Sequence, residues 1–188
     1  MFVAGGHTTE VLSSVMYASV VSRDSVRIAL TIAALNDLKV LACDMQNAYL
    51  TADCREKIWT QAGAEYGSEA GTIFIVKKAL YGLKSAAGAA FRALLVELLY
   101  GMGHVPTNSN PDIWIRPAVK TNGLNYYELV LCYVNDVQAM SVNPAEMLEG
   151  LKSTFTLKDN KIKTSDMYLG AHLGQMDVDG IQCWIVSA

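Results

Sequence analysis

Apolar residues following Ser22 recur at helical spacing, at Val26, Ala29, Leu30, Ala33 and Leu35. This predicts a helix with Ser22 as its N-cap and Asn36-Asp37 as its close. The period then changes. Lys39-Val40-Leu41-Ala42-Cys43-Asp44 is a short apolar run that ends on a carboxylate and reads as a buried strand. Lys57 to Gln61 and Thr72 to Lys77 carry β-branched and aromatic residues and read as strands. Ser85 to Tyr100 is rich in Ala and Leu and reads as a helix stopped by Gly101 and Gly103. Tyr126 to Val134 is a long apolar strand, Asn135-Asp136 a turn dipeptide, and Val137 to Ser141 resumes the apolar run; together they predict a hairpin. Pro144 can open a helix over Ala145 to Thr154. Met167 to Met176 and Ile181 to Val186 form a last hairpin around Asp177-Val178-Asp179-Gly180. Helices interleaved with an antiparallel-prone sheet give an α+β class, and residues 1–16 read as a poorly defined N-terminal segment.

The chain of 188 residues is 52% hydrophobic and 18% charged, a composition that excludes a disordered chain and suits one domain with a sizeable core. The mean hydropathy of +0.22 predicts apolar surface that meets another domain or chain. No N-terminal run has the basic and apolar regions of a secretory signal, and no apolar stretch is long enough to span a bilayer. Cys43, Cys54, Cys132 and Cys183 have no zinc-type spacing and read as thiols of a reducing compartment. The expected location is therefore intracellular, cytoplasmic or nuclear rather than secreted, with no membrane partner. A net charge of −3 and a pI near 5.6 do not suggest a nucleic-acid binder.

The informative feature is a pair of places where a buried strand delivers acid to its tip: Asp44, and Asp136 at the hairpin turn. Carboxylates that share a site stay ionised when a cation lies between them. Mg²⁺ suits that role because it prefers oxygen ligands, and two such ions can clamp a phosphoryl transfer. Against this, Asn-Asp is a common hairpin tip and an acid after a strand is ordinary.

Longer motifs discriminate further. Cys43-Asp44-Met45-Gln46-Asn47-Ala48-Tyr49-Leu50 resembles the first catalytic block of copia/Ty-type retrotransposon reverse transcriptases, an aspartate followed five residues on by an aromatic. Lys78-Ala79-Leu80-Tyr81-Gly82-Leu83-Lys84-Ser85 resembles that family's "ALYGLKQ" block, Leu129 to Met140 its "YVDD" hairpin, and Tyr168-Leu169-Gly170 its "YFLG" strand. Tyr17-Ala18-Ser19-Val20-Val21 is similar to its "FSPVV". The blocks stand in the family's order.

The resemblance implies a reverse transcriptase palm over residues 17–188, an antiparallel sheet with helices packed on one face and with fingers and thumb largely absent. It implies RNA-directed DNA polymerisation with two Mg²⁺ ions. The partners would be an RNA or DNA template-primer, a deoxynucleoside triphosphate, and the fingers, thumb and RNase H segments of a Pol polyprotein. By the same carry-over Asp44 and Asp136 ligate metal, with Asn135 as the third position of the catalytic set. Tyr49 lies under the sugar of the incoming nucleotide, while Tyr81, Gly82, Lys84 and Tyr133 face template and nucleotide.

Three departures qualify this. Asn135 stands where the family pattern has its first hairpin aspartate, and an amide cannot supply the charge a hard cation needs. Such a loss is expected to slow the reaction by about a thousandfold or more. Residues 1–16 contain no Lys or Arg, where the family has a basic finger segment, and the missing basic parts would account for the acidic charge. Gln138 is polar where apolar residues dominate; it either faces solvent or marks a strand no longer held to function. Lys158, Lys161 and Lys163 read as a solvated loop in preference to a phosphate contact, and His7, His104 and His172 have no ligand spacing. The rival readings are a non-catalytic remnant and an unrelated module in which Asp44 and Asp136 never meet.

Overall fold

The computed structural model describes residues 20–54, 57–80 and 87–187. The first predicted helix, α1, is Arg23–Leu35, and the Ser22 hydroxyl accepts the Ser25 N–H at 3.1 Å, as an N-cap should. At its other end the Asn36 amide donates to the Ile32 carbonyl, and Asp37 turns the chain out through a left-handed φ of 51°. The remaining elements follow as β1 (Lys39–Asp44), α2 (Ala48–Thr51), β2 (Trp59–Gln61), β3 (Ile73–Ile75), α3 (Ala87–Gly101), β4 (Val105–Pro106) and β5 (Ile113–Val119). Then come β6 (Asn125–Tyr133), β7 (Asp136–Ser141), α4 (Pro144–Leu151), β8 (Lys163–Thr164), β9 (Met167–Tyr168), β10 (Ala171–Val178) and β11 (Ile181–Ser187). Helix and antiparallel sheet are mixed as the pattern predicts. No helix among the described residues is long and apolar enough to cross a membrane.

Contacts divide the described chain into two compact units, residues 47–96 and residues 20–46 with 97–187. The first holds α2 and the two-stranded β2-β3 hairpin, where the Asp53 carboxylate meets the Lys78 ammonium at 2.7 Å. The second holds a six-stranded antiparallel sheet in the order β4-β5-β6-β7-β1-β8 and a three-stranded sheet β11-β10-β9. In it, Val26, Ala29, Leu30 and Ala33 of α1 pack with Val40, Leu129, Leu131 and Met140 from one face of the large sheet. Truncating Leu30 there is expected to cost about 2–5 kcal/mol.

Several expectations are corrected. Successive side chains of a strand face opposite ways, and β7 is buried at both Met140 and Ala139, with α4 against β1 and β7 on the face opposite α1. The sheet is therefore covered on both faces, not one. β5 is absent from the sequence reading because Arg116-Pro117 interrupts it. Pro117 is tolerated because β4 reaches only Ile115 and Trp114, leaving β5 an edge strand at the proline. The strand read over Met167–Met176 is broken at Leu169-Gly170, both at positive φ, so β9 and β10 form a tight hairpin. The final turn is Asp179-Gly180, with φ of 54° and 83°, the backbone that an Asp-Gly hairpin favours.

At the end of β6 remote from the turn, the Glu128 carboxylate is almost wholly buried and ion-paired to Arg116 at 2.6 Å. It also accepts the Ser141 hydroxyl at 2.6 Å, and that hydroxyl accepts the Asn143 N–H ahead of α4. His104 is fully buried with no hydrogen-bond partner on either ring nitrogen, near the Arg116 guanidinium and the Glu128 carboxylate. Burial, aided by Arg116, pushes its pKa from 6.5 down to about 4. The folded chain thus keeps His104 neutral where the unfolded chain takes up a proton. Its contribution to stability is complete above about pH 6.5, falls as pH drops, and levels off below about pH 4 after a loss of about 3 kcal/mol. Denaturant melts of the parent and of His104→Met across that range should show the pH slope reduced in the variant; equal slopes would disprove the assignment.

Candidate active site

The β6-β7 hairpin is closed by two residues, Val134 and Asn135, because Tyr133 pairs with Asp136 and Cys132 with Val137. The turn is therefore Val134-Asn135, not the Asn135-Asp136 that residue preference suggests. Val134 carries the left-handed φ of 52°, at the first turn position, where glycine is the usual occupant. A β-branched residue is strained there. The register that seats β7 between β6 and β1 overrides local turn preference, since a one-residue slip would reverse every side chain. Val134→Gly should relieve this and stabilise the fold by about 1 kcal/mol, read as a raised melting temperature; an unchanged or lowered one would refute strain at the turn.

β1 runs antiparallel to β7, and its last residue, Asp44, lies directly opposite Asp136. Directly opposed residues bring their Cβ atoms to about 4.5–5.5 Å. The two acids that the sequence placed on strand tips are thus brought together, which removes the reading in which they never meet. Tyr133 continues the same row on β6. Both acids are half-buried. Burial, reinforced by the Asp44 charge, raises the Asp136 pKa above the usual carboxylate value, and Lys158 and Lys163 oppose that rise. Behind them, burial and both acids push the Cys43 thiol up to about 12, so it stays protonated and unreactive. None of the four cysteines is in a disulfide.

Asn135 does more than lack a charge. Its Nδ2 donates to Asp44 Oδ1 at 2.6 Å, while Lys158 Nζ lies 3.4 Å from Asp44 Oδ2. Both oxygens of Asp44 are thereby engaged by protein donors. The Asn135 carbonyl oxygen of the backbone accepts the Met45 N–H at 2.9 Å, so the turn is also tied to the exit of β1. Lys158, Lys161 and Lys163 are exposed, as a solvated loop should be, and Lys158 in addition approaches the acid, while Lys163 pairs with Asp166 at 3.6 Å.

Gln138, two residues along β7 from Asp136, does not face solvent. It is fully buried, and its Nε2 donates to the Ser165 hydroxyl at 2.6 Å. Its Oε1 is buried without a partner, which costs about 1–3 kcal/mol. The sequence signal was present, a polar residue in a buried strand in phase with Asp136, but its partner lies 27 residues away. Tyr49 belongs to α2 in the other unit and sets its ring edge against Phe91 at 5.9 Å. Tyr81, Gly82 and Lys84 lie outside the described residues.

As they stand, these residues do not fit two magnesium ions. A two-ion site needs several anionic oxygens. Here Asp44 and Asp136 supply carboxylates, but Asn135 presents an N–H to Asp44 and Lys158 adds a cation. Among the described residues no group of three or more His, Cys, Asp or Glu side chains is placed to hold a metal. Asn135→Asp should replace an amide–carboxylate hydrogen bond with a third acid, destabilising the chain by about 1–3 kcal/mol in chelator. Magnesium should then raise the melting temperature of the variant and leave that of the parent unmoved. An equal rise in both would contradict this account of the site.

Comparison with known proteins gives this geometry a context. Residues 3–184 match the family described as reverse transcriptase (RNA-dependent DNA polymerase). Over 149 residues the chain is 26% identical to the retrovirus-related Pol polyprotein from transposon TNT 1-94 of Nicotiana tabacum. That alignment covers 77% of this chain and 11% of the polyprotein, so the chain spans about a tenth of that relative's length.

Proposed function

This chain belongs to the reverse transcriptase (RNA-dependent DNA polymerase) family, as the reverse transcriptase domain of a copia-type Pol polyprotein, and on that premise we propose that its six-stranded sheet is the polymerase palm and that Asn135 has impaired its catalysis. The observation that carries the proposal is the Asp44–Asp136 pair on adjacent strands, with the Asn135 amide donated onto Asp44.

Reverse transcriptases are in general magnesium-dependent, and in this reading Asp44 and Asp136 are the two remaining metal ligands. Tyr133 lines the nucleotide side of the row. Tyr49 lies under the sugar of the incoming deoxynucleotide, where a ring excludes a 2′-hydroxyl. By the family resemblance Tyr81, Gly82 and Lys84 contact the template and nascent base pair, and a glycine at 82 suits close backbone approach. Template-primer and triphosphate are the ligands, held jointly with fingers, thumb and RNase H segments of the polyprotein. A basic face from those segments would complement an acidic domain of net charge −3.

Asn135 and Lys158 favour a second reading for this copy, a folded remnant without polymerase activity, because both satisfy Asp44 in a way that opposes cation binding. Primer extension separates the two. Placed in a Pol polyprotein, Asn135→Asp should extend a primer about a thousandfold or more faster than the unmodified sequence. Extension by the unmodified sequence at a comparable rate would overturn the assignment of Asn135. Failure of both would leave the remnant reading.

A further inference from the structure

Gln138 and Ser165 tie β7 to the segment that carries the lysines, and the tie crosses an intervening strand. Gln138 pairs with Ala42 on β1, and Ala42 pairs in turn with Lys163 on β8. Ala42 offers only a methyl group on the face that Gln138 shares with Asp136. The longer side chain can therefore pass over it to the residue just beyond β8. The 2.6 Å bond to the Ser165 hydroxyl results, with Gln138 and Ser165 both essentially without solvent exposure.

Residues 156–165 form an arch beside the acid pair. One foot is fixed by the Gln46 N–H donating to the Thr156 carbonyl at 2.8 Å, by the Met45–Leu157 bridge, and by the burial of Leu157. The crown is a 3-10 turn over Lys158–Asn160, with Asp159 and Asn160 both left-handed at φ of 54° and 52°. Asp and Asn tolerate this backbone singly, but two in succession are not held by local preference alone. The other foot is the short β8, two residues long, and then Ser165. From this arch Lys158 reaches Asp44.

We propose that Gln138 is a positioning residue, which holds the lysine-bearing arch of residues 156–165 in place over Asp44 and Asp136 through the Ser165 hydroxyl. The arch sets the positive charge that the acid pair sees. A buried amide with an orphaned oxygen is a poor choice for stability alone, and its position in phase with Asp136 and over the small Ala42 directs it at this one partner. The proposal rests on the polymerase reading only for what the arch faces.

The test is made on the isotopically labelled chain without nucleic acid or metal, so a chain that never extends a primer still decides it. Gln138→Met and Ser165→Ala should speed amide hydrogen exchange across residues 157–165 by about five- to tenfold, with α1 and β6 amides unaffected. The Lys158 ε-methylene resonance should move to that of a free lysine in both. Ser165→Thr keeps the hydroxyl and should keep both signals of the parent. Should Gln138→Met fail to fold, Ser165→Ala decides alone, since it removes only an oxygen. Unchanged exchange and an unmoved Lys158 resonance in the folded variants would overturn the proposal, as would a Ser165→Thr that behaves like Ser165→Ala.

Discussion

Two half-buried carboxylates face each other across adjacent strands of this sheet, and most of what is distinctive in its surroundings answers their repulsion. Like charges directly opposed on a sheet are unfavourable, and burial strengthens the effect by lowering the local dielectric. Asp44 and Asp136 are held in that relation by the register of β1 on β7. They cannot separate without unpairing a strand that is central in the sheet and buried on both faces. The chain therefore compensates the charge in place. The Asn135 amide takes one oxygen of Asp44, the Lys158 ammonium approaches the other, and burial disfavours ionisation of Asp136.

The stretches legible in the sequence are those where local chemistry and tertiary demand agree. Ser22 and Asn36-Asp37 bound α1 because capping needs only neighbours within a turn, and the short apolar runs ending at Asp44 and Val134 read as strands because turn residues bound them and β-branched residues fill them. Where the two demands diverge, the sequence misleads. Asn135 is the better left-handed residue, but the ladder places Val134 there. Pro117 argues against a strand, but an edge position tolerates it. Leu169-Gly170 reads as the middle of a strand because a lone glycine between two apolar runs does not by itself distinguish a turn from a bulge. In the candidate site, the meeting of Asp44 and Asp136 was legible from strand ends and motif order. The Gln138–Ser165 and Asn135–Asp44 bonds were not, because each joins side chains far apart in the chain.

β7 carries two buried polar arrangements of different character. At its C-terminal end, Ser141 links Glu128, and through it Arg116, to the backbone before α4. That network is densely satisfied, and satisfied networks specify a unique packing. Near the acids, Gln138 meets a single partner and leaves an oxygen unpaired. The contrast separates a network whose effect is on stability from a contact better understood by what it holds in position.

Seen as sequence alone, Asn135 stands where the family resemblance expects a charged ligand, one departure among several. The geometry makes the change larger. An aspartate at the turn would add a second anionic acceptor beside Asp44, and a cation between them would be drawn in. The asparagine instead presents a donor to Asp44, which reverses the polarity of the contact and makes the cation unnecessary. With Lys158 near the other oxygen, both oxygens of Asp44 have partners from within the chain. A divalent ion would have to displace a 2.6 Å hydrogen bond and repel an ammonium, in addition to lacking a ligand. With the Asn135 amide on one oxygen of Asp44 and the Lys158 ammonium near the other, the fold sustains the acid pair at the register of β1 on β7.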